Sequence, residues 1–155
     1  MEDESLRLDN QVCFALHATS RAMDGLYRRE LRELGLTYPQ YLVMLVLWER
    51  RPGDPPAVKE LGAALRLDSG TLSPLLKRLE AAGLVRRERD GGDERSVRVR
   101  LTPQGTALRR RAAQVPARVF AATGLDEGEL RHLRRVLGRV TAALDTAAEG
   151  ASQPS

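Results

Sequence analysis

Cysteine is almost missing from this chain. Cys13 is the only one in 155 residues, so the protein has no internal disulfide and no cysteine-based zinc site. Histidine is nearly as scarce: His17 and His132 lie far apart in sequence, and no ligand cluster surrounds them. Aromatic residues are only 4% of the chain, with a single tryptophan. No apolar run approaches the roughly 18–20 residues of a membrane helix. YLVMLVLW, from Tyr41 to Trp48, is far too short and reads as a buried helix. The opening MEDESLRLDN is acidic and polar, unlike a secretory leader. The expectation is one cytoplasmic domain in a reducing compartment, with no cofactor and no metal.

Lysine is scarce too. The formal charge is +4, yet of 25 basic residues only Lys59 and Lys77 are lysines. An arginine-rich chain fits a phosphate-contacting surface. It equally fits a bias that replaces lysine with arginine everywhere. The local pattern has to decide.

That pattern is mostly helical. Leu8, Val12, Leu16, Met23, Leu26 and Tyr27 recur at helical spacing before a break at Gly35. Thr37 and Gln40 form a capping box for a second helix reaching about Glu49, with Pro39 in its first turn. RPGDPP is a loop. A short amphipathic helix carries Val58, Leu61, Ala64 and Leu65. After a turn at Arg66–Asp68, a helix capped by Asp68 or Ser69 bears Leu72, Leu75, Leu76 and Leu79 in one stripe. Pro74 predicts an irregular first turn there, and Gly83 a stop. Two helices joined this way are a helix-turn-helix. Leu84–Arg89, the turn Asp90-Gly91-Gly92-Asp93, and the alternation Val97, Val99, Leu101 against Arg98, Arg100 predict a hairpin that reads as a wing. A long helix follows Thr102-Pro103, kinked at Pro116 and ended by Gly124. The last helix, about Asp126 to Ala148, aligns Leu130, Leu133, Leu137, Val140 and Leu144. The terminal helices carry apolar stripes that a lone protomer leaves wet, so the expectation is a homodimer with a two-fold axis.

The segment LKRLEAAGLVRRERDGGDERSVRVRLTPQG, with Asp93 and Arg95 at its tip, resembles the MarR family of winged-helix regulators. The segments LDNQVCFALHATSRAM and GLTYPQYLVMLVLWE are similar to the organic-hydroperoxide (OhrR) subgroup of that family, in its one-cysteine form. The resemblance implies a mainly α fold with a small β-wing, a winged helix-turn-helix between N- and C-terminal dimerisation helices. It implies one domain over 1–155, with dimerisation helices at 6–34 and 103–148, a linking helix at 37–50, the winged helix-turn-helix at 57–102 and a flexible tail at 149–155. Its function would be that of a non-enzymatic repressor releasing a pseudo-palindromic operator on peroxide.

In that arrangement the helix from Ser69 enters a major groove. Ser69, Thr71 and Ser73 offer hydroxyls, and Lys77 and Arg78 suit bases or phosphates. Arg86 and Arg87 suit phosphates at the wing base. Arg95 suits a narrow minor groove, with Asp93 holding it. Arg98 and Arg100 read as a solvated strand face. The resemblance also implies that Cys13 is a peroxide-reactive thiol, hydrogen-bonded by Tyr27 and Tyr38 of the partner subunit. His17, four residues after Cys13, stands where the family often has tyrosine. With no second cysteine, the sulfenic acid has to meet a small cellular thiol, a backbone nitrogen or more oxidant. Two rival readings remain at this point. One keeps the fold, makes Cys13 packing, and gives the regulator a small aromatic or phenolic ligand. The other is a thiol-dependent peroxidase, which lacks a resolving cysteine and a catalytic His-Asp set.

Overall fold

The computed structural model describes residues 4–151, except for the side chains of residues 93–95. Seven α-helices and one hairpin follow in order: α1 (Val12–Glu30), α2 (Tyr38–Glu49), α3 (Val58–Leu65), α4 (Ser69–Ala81), β1 (Val85–Asp90), β2 (Asp93–Leu101), α5 (Pro103–Ala112), α6 (Val115–Thr123) and α7 (Glu127–Ala151). The chain divides into two compact units, the first ending at Pro116 and the second beginning at Ala117. Among the described residues no helix is long and apolar enough to cross a membrane.

Local chemistry sets most boundaries. Thr37 Oγ1 accepts from the Gln40 amide at 3.4 Å, and Gln40 Oε1 accepts from the Thr37 amide at 2.9 Å, completing the capping box of α2. Asp68 Oδ1 accepts from the Thr71 amide at 2.7 Å and starts α4. Gly83, at φ +74°, supplies the left-handed residue that closes α4.

Three sequence-based boundaries shift. The first helix begins at Val12, not near Leu6. Two short 3₁₀ turns, Glu4–Leu6 and Leu8–Asn10, precede it. Asn10 Nδ2 donates to the Glu4 carbonyl at 2.7 Å and Gln11 Nε2 to the Ser5 carbonyl at 2.6 Å, so side chains hold this stretch out of the helix. The helical region after Thr102 is broken, not merely kinked. Pro116 has no N–H for the Ala112 carbonyl, and α6 restarts with this proline in its first turn. Pro74 leaves α4 continuous: the one carbonyl it orphans belongs to exposed Gly70, which water can satisfy. The last helix runs on to Ala151, while 152–155 of the expected tail lie outside the described residues.

The core of the first unit forms around α2. Tyr41, Val43, Met44, Leu47 and Trp48 are buried there, together with Leu61, the four leucines of α4, and Val85 and Val99 of the hairpin. Trp48 Nε1 donates to the Gly105 carbonyl at 3.0 Å, fastening α2 to α5 across 57 residues of sequence. β2 is fastened in turn to the loop before α3: the Val99 amide donates to the Pro56 carbonyl at 2.9 Å. The apolar stripes of the terminal helices are uncovered. Val12 is 71% exposed and Leu144 63%.

At Gly105, α5 and the start of the wing lie in close contact. A Cβ built on it lies only 2.0 Å from the Leu84 carbonyl oxygen, a backbone atom that cannot step aside. Gly105→Ala is therefore expected to cost about 1–3 kcal/mol of unfolding free energy, the usual scale for overpacking. Urea unfolding checks it, and an unchanged midpoint contradicts this packing.

Candidate nucleic-acid interface and thiol site

α4 presents two faces. Leu72, Leu75, Leu76 and Leu79 are buried, which turns Ser69, Thr71, Ser73, Lys77 and Arg78 outward. The turn before α4 is tight. Arg66 takes φ +57°, and a Cβ on Gly62 meets the Leu67 carbonyl oxygen at 2.8 Å. Asp68 has its carboxyl held below the ordinary range, chiefly by the Thr71 amide and then by the Thr71 hydroxyl. Thr71 therefore has a capping role beside any role towards DNA.

The wing arginines are more committed than the sequence shows. The register pairs Arg86 with Arg100 and Glu88 with Arg98 on one face. Glu88 binds both Arg86, at 2.7 Å, and Arg100, at 3.1 Å. The Arg100 hydrogen bond, ahead of the charge of Arg86, keeps the Glu88 carboxyl below its ordinary range. Two like charges opposite each other repel, and Glu88 offsets that. Arg87 Nε meets Glu80 of α4 at 2.7 Å. Arg98 is not merely solvated: it meets Asp90 at 3.2 Å and donates to the Pro55 carbonyl at 3.1 Å. Sequence reasoning missed Glu80 and Glu88, because cross-strand and helix–strand partners have no local signature. Asp93 and Arg95 occupy the start of β2, and their side chains lie outside the described residues. Lys77 and Arg78 have no charged partner among the described residues.

Cys13 is the second residue of α1 and is exposed. It sits among the first-turn amides that have no acceptor inside the helix, where the helix dipole is positive. His17 is exposed one turn on. Tyr27 and Tyr38 come together: their ring centroids are 4.4 Å apart. Tyr41 extends the group, 5.9 Å from Tyr27 and 6.4 Å from Trp48. Burial, then the neighbouring Tyr38 and Tyr41, push the Tyr27 phenol up to about 12. Burial also raises Tyr38, with Asp24 adding, and Tyr41, with Tyr38 adding.

One protomer does not assemble the whole thiol set. Cys13 and Tyr27 lie on one continuous helix, 14 residues apart, so a rise of 1.5 Å per residue separates them by roughly 21 Å. The tyrosine pair and the thiol stand at opposite ends of α1.

A tight interhelical turn, an outward polar face on the second helix and an antiparallel hairpin following it define a winged helix-turn-helix. Residues 26–110 match the family model described as transcriptional regulator SarA/Rot. The chain is 50% identical over 131 residues to the HTH-type transcriptional regulator TtmR of Methylorubrum extorquens, covering 84% of this chain and 66% of that one. It is 42% identical over 134 residues to the organic hydroperoxide resistance transcriptional regulator of Bacillus subtilis, covering 86% and 89%. The solved structure of reduced AbfR bound to DNA is 35% identical with a TM-score of 0.75, covering 93% of this chain and 99% of that one. AbfR, from Staphylococcus epidermidis, has also been solved overoxidised on DNA and with a disulfide formed. The chain belongs to the SarA/Rot–MarR-type family of winged-helix transcriptional regulators.

The raised phenols give a stability prediction. The fold resists deprotonation of Tyr27 and the unfolded chain does not. Its contribution is thus complete below about pH 10 and is lost as the pH rises towards about 12. Absorbance titration of the phenolate band should show one tyrosine ionising near pH 12 in the folded protein and none so late in denaturant. Three coincident titrations near pH 10 in the folded protein contradict the cluster.

Proposed function

We propose that the protein is a homodimeric repressor that leaves its operator when organic hydroperoxide oxidises Cys13. The observation that carries this reading is the placement of Cys13: an exposed thiol in the first turn of a helix whose far end holds a tyrosine pair. In one chain the two ends cannot meet. A second copy, packed two-fold on the uncovered stripes, brings Tyr27 and Tyr38 of the partner subunit to Cys13. The name of the Bacillus subtilis relative and the oxidised states of AbfR support the same chemistry.

The step is a two-electron oxidation. The Cys13 thiolate attacks the terminal peroxide oxygen, the O–O bond breaks and an S–O bond forms. Sulfur loses two electrons, and the leaving alkoxide takes a proton from water to become the alcohol. The two phenol hydroxyls of the partner subunit are the hydrogen-bond donors offered to the sulfur. Those phenols stay protonated, hence donors, at neutral pH. The sulfenic acid then condenses with a small cellular thiol, releasing water, or oxidises further. Either product is larger or more charged than the thiol and no longer fits between the tyrosines. The mismatch alters the dimer helices and so the spacing of the two α4 helices, which must match one DNA turn, on the order of 34 Å. In the operator complex Ser69, Ser73, Lys77 and Arg78 face the major groove and Arg95 the minor groove. His17 fills space beside the thiol and leaves the initial oxidation unaffected. The reading that makes Cys13 a buried packing residue finds no support in one protomer, where the thiol is open to solvent.

A gel shift on DNA upstream of the protein's own gene tests this. Cumene hydroperoxide should abolish the shift with the parent protein and leave it intact with Cys13→Ser. Equal release from both proteins sinks the thiol-sensing reading and leaves a regulator with a different effector.

A further inference from the structure

We propose that the groove enclosed by α3, α4 and β2 seats one phosphate of the DNA backbone, with Lys59 as its cation. The inference rests on the assignment of α4 to DNA and adds a contact which that assignment does not contain.

The groove has a volume of about 480 Å³, and its polar lining is Lys59, Ser69, Ser73, Ser96 and Arg87. These residues come from every part of the motif. Lys59 is the second residue of α3, Ser69 and Ser73 lie in the first half of α4, and Ser96 is on β2. Among the described residues no carboxylate lines the groove. Arg87 is already neutralised by Glu80 at 2.7 Å. Lys59 has no partner among the described residues, and none of the three serine hydroxyls has one either. The floor is apolar, from Val58, Leu76 and Val97.

One free ammonium, three hydroxyls and no competing anion among the described residues match the chemistry of a phosphodiester. That group carries a single negative charge and accepts several hydrogen bonds. A carboxylate-bearing peptide would satisfy the ammonium alone. The exposed face of α4 favours DNA, because Thr71, Lys77 and Arg78 lead away from the groove along the same helix. The first helix of a helix-turn-helix crosses the backbone while the second enters the groove, which is the relation of Lys59 to Ser69 and Ser73 here. Lys59 escaped the sequence reading because a lysine on a short amphipathic helix looks like any solvated charge. Its meaning comes from having no counter-charge among the described residues around it.

The test is fluorescence anisotropy on full-length protein, with operator and scrambled duplexes, across a salt series. Four proteins are compared: the parent, Lys59→Ala, Lys59→Arg, and Arg109→Ala, which removes the same charge away from the groove. Lys59→Ala should weaken both duplexes by a similar factor, about tenfold per subunit, as for a lost charged hydrogen bond. It should lower the slope of log affinity against log salt by about one per subunit. Lys59→Arg should retain most of the affinity. Neutral methylphosphonates, placed one at a time, should reveal one position per half-site that weakens the parent and leaves Lys59→Ala unaffected. The proposal is overturned if Lys59→Ala loses no more than Arg109→Ala, or if every methylphosphonate penalty adds to that of Lys59→Ala. Failure of the parent to bind any duplex overturns the assignment of α4 to DNA and this seat with it.

Discussion

A straight helix cannot bring its own two ends together. That constraint governs the thiol chemistry proposed for this protein. α1 carries Cys13 in its first turn and Tyr27 near its last, roughly 21 Å apart, and Tyr38 sits with Tyr27. No rotamer of Cys13 spans that distance. The reactive group and the hydroxyls that would tune it become neighbours only when two chains meet. In the proposed dimer, assembly and sensing share one requirement, and the exposed leucines and valines of the terminal helices are the surface offered to meet it. Under the proposed function the same arrangement carries a change of a few atoms on sulfur to DNA. In the proposed dimer the sulfur lies in the seam whose geometry sets the distance between the two α4 helices.

Charge in this chain works differently from what its composition implies. Twenty-five basic residues look like a broad phosphate-binding surface. Much of the wing's share is internal bracing instead. Glu88 ties Arg86 to Arg100, Glu80 holds Arg87 against α4, and Arg98 clips β2 to Asp90 and to the Pro55 carbonyl. These pairs are exposed enough that each contributes little to stability. Their effect is to fix where the hairpin stands and to cancel charge at its base. The cations left without a counter-charge on the helix-turn-helix are Lys59, Lys77 and Arg78, among the described residues. Both lysines of the chain are in that set.

What the sequence made legible was local. The Thr37–Gln40 capping box, the Asp68 cap, the leucine stripe of α4, the stop at Gly83 and the alternation of β2 each involve residues within a turn or two of one another. All of them are found where expected. Less legible were features set by distant partners. The 3₁₀ entry before α1 depends on Asn10 and Gln11 reaching back six residues, and it moves the helix start up to Cys13. The bond from Trp48 to the Gly105 carbonyl joins residues that no window of sequence connects. Tyr27 and Tyr38 are observed side by side, a contact no local pattern announced, while their union with Cys13 is proposed for a second chain.

A crystal structure of the reduced dimer measures the central claim most directly. The distance that matters runs from the Cys13 sulfur to the hydroxyls of Tyr27 and Tyr38 of the partner subunit. The account predicts that both lie within hydrogen-bonding reach of the sulfur. A dimer that leaves Cys13 facing solvent or apolar side chains, with all four hydroxyls remote, contradicts it.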